Sequence, residues 1–208
     1  MMKRNNFPFS AVLGLNHAKT AILIVLVNPR AGGLLISGPR GIGKSTLMRS
    51  TQELIERPWR DIPVSVTEDR LFGTIDTEKA IYSGQKKLYP GIINEADQGV
   101  LYLDDANLLR EDLLDFILNI AEVGAYQLER DGLSLRCDTS FTVIAAINPE
   151  SGMLSGACLD QFGLFVNVDN IHDENTRVEI LKRTISFEKD CASFCKLWKL
   201  ENEKIKKA

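Results

Sequence analysis

The sequence predicts an α/β fold in which helices cover both faces of a parallel sheet. Three observations carry that reading. A short apolar strand, Leu34-Leu35-Ile36-Ser37, runs into the glycine-rich segment Gly38-Pro39-Arg40-Gly41-Ile42-Gly43-Lys44-Ser45 and then into a helix from Thr46 to Ile55. A second apolar strand, Val100 to Leu103, ends in Asp104-Asp105. A third run, Phe141 to Ile147, is nearly all apolar, as a central parallel strand buried on both faces requires. Strands alternating with helices give a parallel sheet, and ligands of such sheets sit at the carboxyl ends of the strands. Ser37, Asp104 and Asn148 all fall at that edge.

The glycine-rich segment fits G-x-x-x-x-G-K-[ST], a phosphate-binding loop. Gly38, Gly41 and Gly43 let the backbone turn its N–H groups toward phosphate, with Pro39, Arg40 and Ile42 at the variable positions. The N-terminus of the helix that carries Thr46 adds partial positive charge. Lys44 reaches the β- and γ-phosphates, and the Ser45 hydroxyl ligates Mg²⁺. An apolar strand that ends in two carboxylates is, on its own, a strand entering a turn. After a phosphate loop it reads as the metal-organising acid, Asp104, beside a residue that orients or deprotonates water, Asp105. ATP and Mg²⁺ are therefore the expected ligands.

The remaining elements follow from period and punctuation. A helix is expected around His17 to Val27, and a turn-rich link at Asn28 to Gly33. Pro58 to Pro63 breaks the chain, and Val64-Ser65-Val66 reads as a short second strand. Between Thr67 and Pro90 the chain is mostly polar, with a short helix near Asp76 to Tyr82. Glu111 to Val123 places Leu113, Leu114, Ile117, Leu118 and Ala121 on one helical face. Tyr126 to Leu135 alternates about Asp131-Gly132 and reads as a β-hairpin. Phe165 to Val168 is the expected last strand, Glu174 to Phe187 a helix, and Lys189 to Lys207 a charged helical segment with a solvated face. These give an ATPase core over residues 1–190 and a charged helical tail over 191–208.

Bulk properties narrow the function. The chain has 208 residues, 44% of them hydrophobic, and a net charge of −3 with both signs interspersed. Nucleic acid is disfavoured as a partner because no global basic footprint exists. The longest apolar run, Ala21 to Val27, is too short to span a bilayer. A cytoplasmic protein with no membrane partner is expected. Of the four cysteines, Cys191 and Cys195 stand four apart. Two thiolates do not complete a zinc site, and the only histidines are His17 and His172.

Several stretches together resemble the ATPase subunit of magnesium chelatase, a family of AAA+ P-loop proteins. They are Phe7-Pro8-Phe9-Ser10-Ala11-Val12-Leu13-Gly14, Glu68 to Asp76, Pro90-Gly91-Ile92-Ile93-Asn94-Glu95-Ala96, Leu101 to Leu109, Glu129 to Ser134, Asn148-Pro149-Glu150 and Leu159 to Leu164. They run in the family's order from about residue 7 to about residue 200. The resemblance implies a ring, often a hexamer, that binds ATP between subunits. It also implies partners: an integrin-domain chelatase subunit and a large catalytic subunit that inserts magnesium, or in related systems cobalt, into a tetrapyrrole. It makes the Tyr126–Leu135 hairpin the insertion of this clade, and Asn148 the sensor 1 residue near the γ-phosphate.

The chain departs from the family in three places. Hydrolysing members carry Asp-Glu where this chain has Asp104-Asp105, so the second carboxylate is one methylene shorter. The family's Leu-Asp-Arg-Phe-Gly supplies an arginine finger to the neighbouring subunit, and here that position is Gln161. The family's helical lid, with its sensor 2 arginine, is expected to be absent or truncated. The alternative to a motor ATPase is thus a nucleotide-binding scaffold with little hydrolysis of its own.

Overall fold

The computed structural model describes residues 6–75, 88–130 and 133–207. In chain order the strands are β1 (Leu34–Ser37), β2 (Trp59–Ile62), β3 (Gly73–Ile75), β4 (Leu88–Pro90), β5 (Gly99–Leu103), β6 (Ala125–Arg130), β7 (Leu133–Asp138), β8 (Phe141–Ile147) and β9 (Leu164–Asn167). The α-helices are α1 (Asn16–Val27), α2 (Lys44–Thr51), α3 (Glu68–Phe72), α4 (Ile92–Glu95), α5 (Glu111–Val123), α6 (Gly156–Asp160), α7 (Glu174–Lys189) and α8 (Cys191–Lys207).

Five strands form one parallel sheet in the order β2-β5-β8-β1-β9. Every residue of β1, β5 and β8 is buried, which is why these strands read as unbroken apolar runs. Alternate side chains go to opposite faces. Leu35, Leu101, Leu103, Val143, Ala145 and Ile147 point to the face covered by α5, where Leu113, Leu114 and Ile117 meet them. Leu34, Ile36, Val100, Tyr102, Ile144 and Ala146 point to the face covered by α1 and α2, where Ile22, Val25, Leu47 and Met48 complete the packing. Leu101 is fully buried at the centre of the first face. Leu101→Ala is expected to cost about 2–5 kcal/mol, read as a lower denaturation midpoint with an unchanged m-value.

The second strand lies at Trp59–Ile62, and residues 64–65 form a turn, which corrects the expectation of a strand at Val64-Ser65-Val66. The physical reason is position. β2 is the sheet edge and pairs only with β5, so the polar Arg60 and Asp61 need no apolar partner on the outer side. Pro58 and Pro63 bracket this edge strand, where a missing N–H is tolerated. The Pro58 carbonyl still accepts a bond from Val100 N at 2.8 Å.

The polar stretch before Pro90 contains a small antiparallel pair, β3 with β4. The helix expected near Asp76 to Tyr82 lies outside the described residues, as does the Asp131-Gly132 turn. β6 and β7 pair antiparallel from Ala125 opposite Asp138 onward. Tyr126 ties this hairpin to the β3–β4 region, since its hydroxyl contacts Phe72 O at 2.8 Å and Asn94 Oδ1 at 2.7 Å.

Helices α7 and α8 fold back over the N-terminal segment. Asp173 caps α7, accepting from Thr176 N at 2.7 Å. Phe7, Phe187 and Phe194 form a ring cluster with centroids 5.1–5.7 Å apart. Ser10 N donates to Asn202 Oδ1 at 2.9 Å, and the Arg183 guanidinium stacks 4.5 Å above the Trp198 ring. The lysines of α8 stay exposed, as a solvated face, while Phe194 and Asn202 on its other side are buried.

Candidate functional site

The site forms where β1, β5 and β8 end together. Ser37 stands opposite Ile147, and Leu103 opposite Ala145, so Ser37, Asp104 and Asn148 emerge at one edge of the sheet. The glycine loop starts there. Gly38 N donates to Ile147 O at 3.2 Å, which pins the loop to β8. A Cβ on Gly38 would stand 2.5 Å from Val168 O, so only glycine allows this close approach. Gly41 and Gly43 have φ of 82° and 94°, the left-handed region in which other residues are strained. Gly43 then caps α2, with Leu47 N donating to Gly43 O at 2.9 Å.

Lys44 is the first residue of α2 and only 8% exposed. Its Nζ donates to Gly38 O at 2.6 Å and to Pro39 O at 2.8 Å, so the lysine closes the loop over itself. Burial lowers its pKa, against the raising effect of Asp105 and Asp104, and Arg40 lowers it further. The Ser45 hydroxyl donates to Asp104 Oδ2 at 3.0 Å. A hydroxyl and a carboxylate at this corner are the hard oxygen donors that suit Mg²⁺. That ion takes one or two protein ligands and fills its remaining positions with water and substrate phosphate. Thr46 and Ile42 border the cavity described below.

Asp105 adopts φ 49°, ψ 47°, a left-handed conformation that costs energy for any residue with a Cβ. It lies beside the loop, with its carboxylate 3.6 Å from Arg40 Nη2. Both groups face solvent (65% and 34% exposed), so this pair contributes little to stability. Its effect is to hold a guanidinium and a carboxylate together at the tip of the loop.

Asn148 is 2% exposed. Its Oδ1 accepts from Glu150 N and its Nδ2 donates to Ser151 Oγ, each at 3.2 Å, so the side chain caps the turn at Pro149–Ser151. Asn107 braces that turn by donating to Asn148 O at 3.2 Å and Gly152 O at 2.9 Å. Gln161 is exposed at the end of α6, with its Nε2 3.4 Å from Ala157 O.

Two features escaped the sequence reading. The first is a cavity of about 920 Å³ beside the loop, bordered by Val12, Leu13, Leu15, Ile171 and Arg177 together with Thr46. It joins segments near residues 6–15 and 170–188, which no local pattern connects. The one available signal is the Phe7–Gly14 stretch upstream of the loop, where Gly14 and Leu15 both have positive φ. The second is Tyr102, whose buried hydroxyl sits beside Asp104 and Ser45. Burial, then the Asp104 charge, raises its pKa far above the ordinary phenol value, so it remains a neutral donor.

Comparison with known proteins agrees with this geometry. Residues 33–161, from the start of the loop strand through Gln161, match the family described as AAA domain (dynein-related subfamily). The magnesium-chelatase 38 kDa subunit of Cereibacter sphaeroides is 35% identical over 96% of this chain and 70% of its own length. The chain belongs to the magnesium-chelatase ATPase-subunit family of AAA+ proteins. The magnesium-chelatase subunit ChlI of Cyanophora paradoxa is 33% identical over 99% of this chain and 72% of its own. A structure of the complex between subunits BchI and BchD of magnesium chelatase, from single-particle cryo-EM, matches with a TM-score of 0.75 and 34% identity. That match covers 98% of this chain and 74% of the other. The AAA+ core, with its parallel sheet flanked by helices and its β6–β7 insertion, is therefore the fold of this family. Among the described residues no helix is long and apolar enough to cross a membrane.

Proposed function

We propose that this chain is a Mg²⁺-dependent ATPase subunit that works in an AAA+ ring, and that its ATP turnover drives metal insertion into a tetrapyrrole by partner chelatase subunits. The observation that carries the reading is the glycine loop itself: Lys44 folds back onto it, Ser45 bonds Asp104 behind it, and its Gly41, Ile42 and Gly43 together with Thr46 border the adjoining cavity. Lys44 exchanges its two loop carbonyls for phosphate oxygens when substrate arrives, without leaving its buried position. Ser45 and Asp104 would hold the metal, Ser45 through its hydroxyl lone pairs while its O–H goes on donating to Asp104. Bound Mg²⁺ supplies charge neutralisation on the β- and γ-phosphates. Asp105 orients the attacking water and accepts its proton. Arg40, paired with Asp105, keeps that carboxylate over the loop. Asn148 holds the strand end rigid beside the γ-phosphate position, with the spare hydrogen-bonding capacity of its amide turned to the water. The cavity walls from Val12, Leu13 and Ile171 suit the flat apolar face of a purine.

A ring places part of each site on a neighbour, so turnover is expected to depend on assembly. The test is steady-state ATP hydrolysis against protein concentration, with nucleotide binding measured in parallel. Specific activity that rises with concentration supports an assembled motor. Tight binding with no turnover at any concentration, alone or with an integrin-domain chelatase subunit, overturns the motor reading.

A further inference from the structure

Tyr102 is 5% exposed, on the face of β5 shared with Asp104 two residues later. Its ring is fully accounted for by packing. It contacts the Trp59 ring at 6.0 Å and lies among Val100, Ile144 and Ala146. Its hydroxyl is not accounted for. Among the described residues Tyr102 Oη is buried and makes no well-formed hydrogen bond. The polar groups facing it are the Asp104 carboxylate and the Ser45 hydroxyl, with Asp61 further out. A buried hydroxyl without a partner is costly, and phenylalanine would fill the same space without that cost. The hydroxyl lies beside the corner where Ser45 and Asp104 already bond to each other.

We infer that Tyr102 is a positioning residue for the metal, its hydroxyl placed to bond the Asp104 carboxylate or a metal-bound water beside the Ser45–Asp104 pair. This rests on the Mg²⁺-dependent nucleotide site proposed above. Ser45 takes the Oδ2 oxygen of Asp104, which leaves the carboxylate's other oxygen for a second donor. A group of this kind orients a ligand that touches the ion, and loss of such a partner typically weakens metal binding about 10–100-fold.

The test is Tyr102→Phe in the full chain, with two readouts. The first is thermal unfolding in chelator without nucleotide. The variant is expected to melt at or above the wild-type temperature, because an unsatisfied buried hydroxyl has been removed. The second is a Mg²⁺ titration of fluorescent-nucleotide binding, in which the half-saturating Mg²⁺ is expected to rise about tenfold. Nucleotide binding in chelator should stay unchanged. In an Asp104→Asn background, Tyr102→Phe should add nothing further. Coincident Mg²⁺ titrations, a clear loss of stability without metal, or an equal effect in both backgrounds would each overturn the assignment. A wild-type chain that binds nucleotide with no dependence on Mg²⁺, or does not bind it at all, overturns the ATPase reading and this assignment with it. A normal wild-type titration beside an unshifted Tyr102→Phe overturns the assignment alone.

Discussion

Lys44→Ala is expected to lower ATP turnover by at least about 10²–10³-fold, the loss that follows removal of one preorganised charged donor from a transition state. Nucleotide binding should weaken as well, since hydrogen bonds to charged groups contribute about 1.5–3 kcal/mol each. The structure makes this change specific. Lys44 Nζ reaches back over its own loop to Gly38 O and Pro39 O, so its charge already lies inside the cradle. Lys44→Arg should fail almost as badly, because a planar fork cannot follow the tight path that a flexible ammonium stem takes. Thermal unfolding of both variants checks that the loop change has not unfolded the core. Turnover retained by a folded Lys44→Ala chain would overturn the site assignment.

Gln161→Arg is expected to act in the opposite direction. An arginine that reaches a neighbour's γ-phosphate is worth about 10³–10⁵ in rate, and a glutamine supplies none of that charge. Residue 161 is exposed at the end of α6, with only a long contact to Ala157 O holding its amide, so the longer side chain fits without disturbing the core. Turnover should rise by about 10²-fold or more at concentrations where subunits assemble, short of the full value because the rest of the interface has not adapted. It should not rise in dilute protein. This concentration dependence distinguishes a residue acting on the next subunit from a general change in folding. Equal turnover of Gln161→Arg and wild type at every concentration would show that residue 161 does not reach a neighbouring site.

The two variants probe different sources of information. The place of Lys44, Ser45 and Asp104 at one edge of the sheet was legible from residue order alone, because a strand, glycines and a helix N-terminus in fixed succession and an apolar strand ending in a carboxylate set it. Gln161 acquired meaning only from the resemblance to a family, since a surface glutamine has no chemistry that draws attention to it. Asn148 lies between these cases. Its place at the end of β8 was clear from the apolar run before it, but its engagement with Glu150 N and Ser151 was not. Those bonds depend on the turn that follows it.

The strand that was misplaced shows the same division. A central strand such as Phe141–Ile147 announces itself because both its faces are buried. β2 does not, because an edge strand with one neighbour tolerates Arg60 and Asp61, and its register comes from β5 rather than from its own composition. The helical segment after residue 190 is similar: its charge pattern shows a solvated face, whereas the contacts of Phe194 and Asn202 with the N-terminal segment span nearly the whole chain.

The sequence by itself determined the sheet centre, the glycine loop and the place of Asp104 at the end of its strand, because each is set by side-chain period or by residues adjacent in the chain. Only the tertiary structure decided the cavity, the Arg40–Asp105 pair and the unpartnered Tyr102 hydroxyl beside Ser45 and Asp104. Each of these arises where segments far apart in sequence are brought together by burial of the apolar faces of the sheet, and contact between distant segments leaves no local pattern to read.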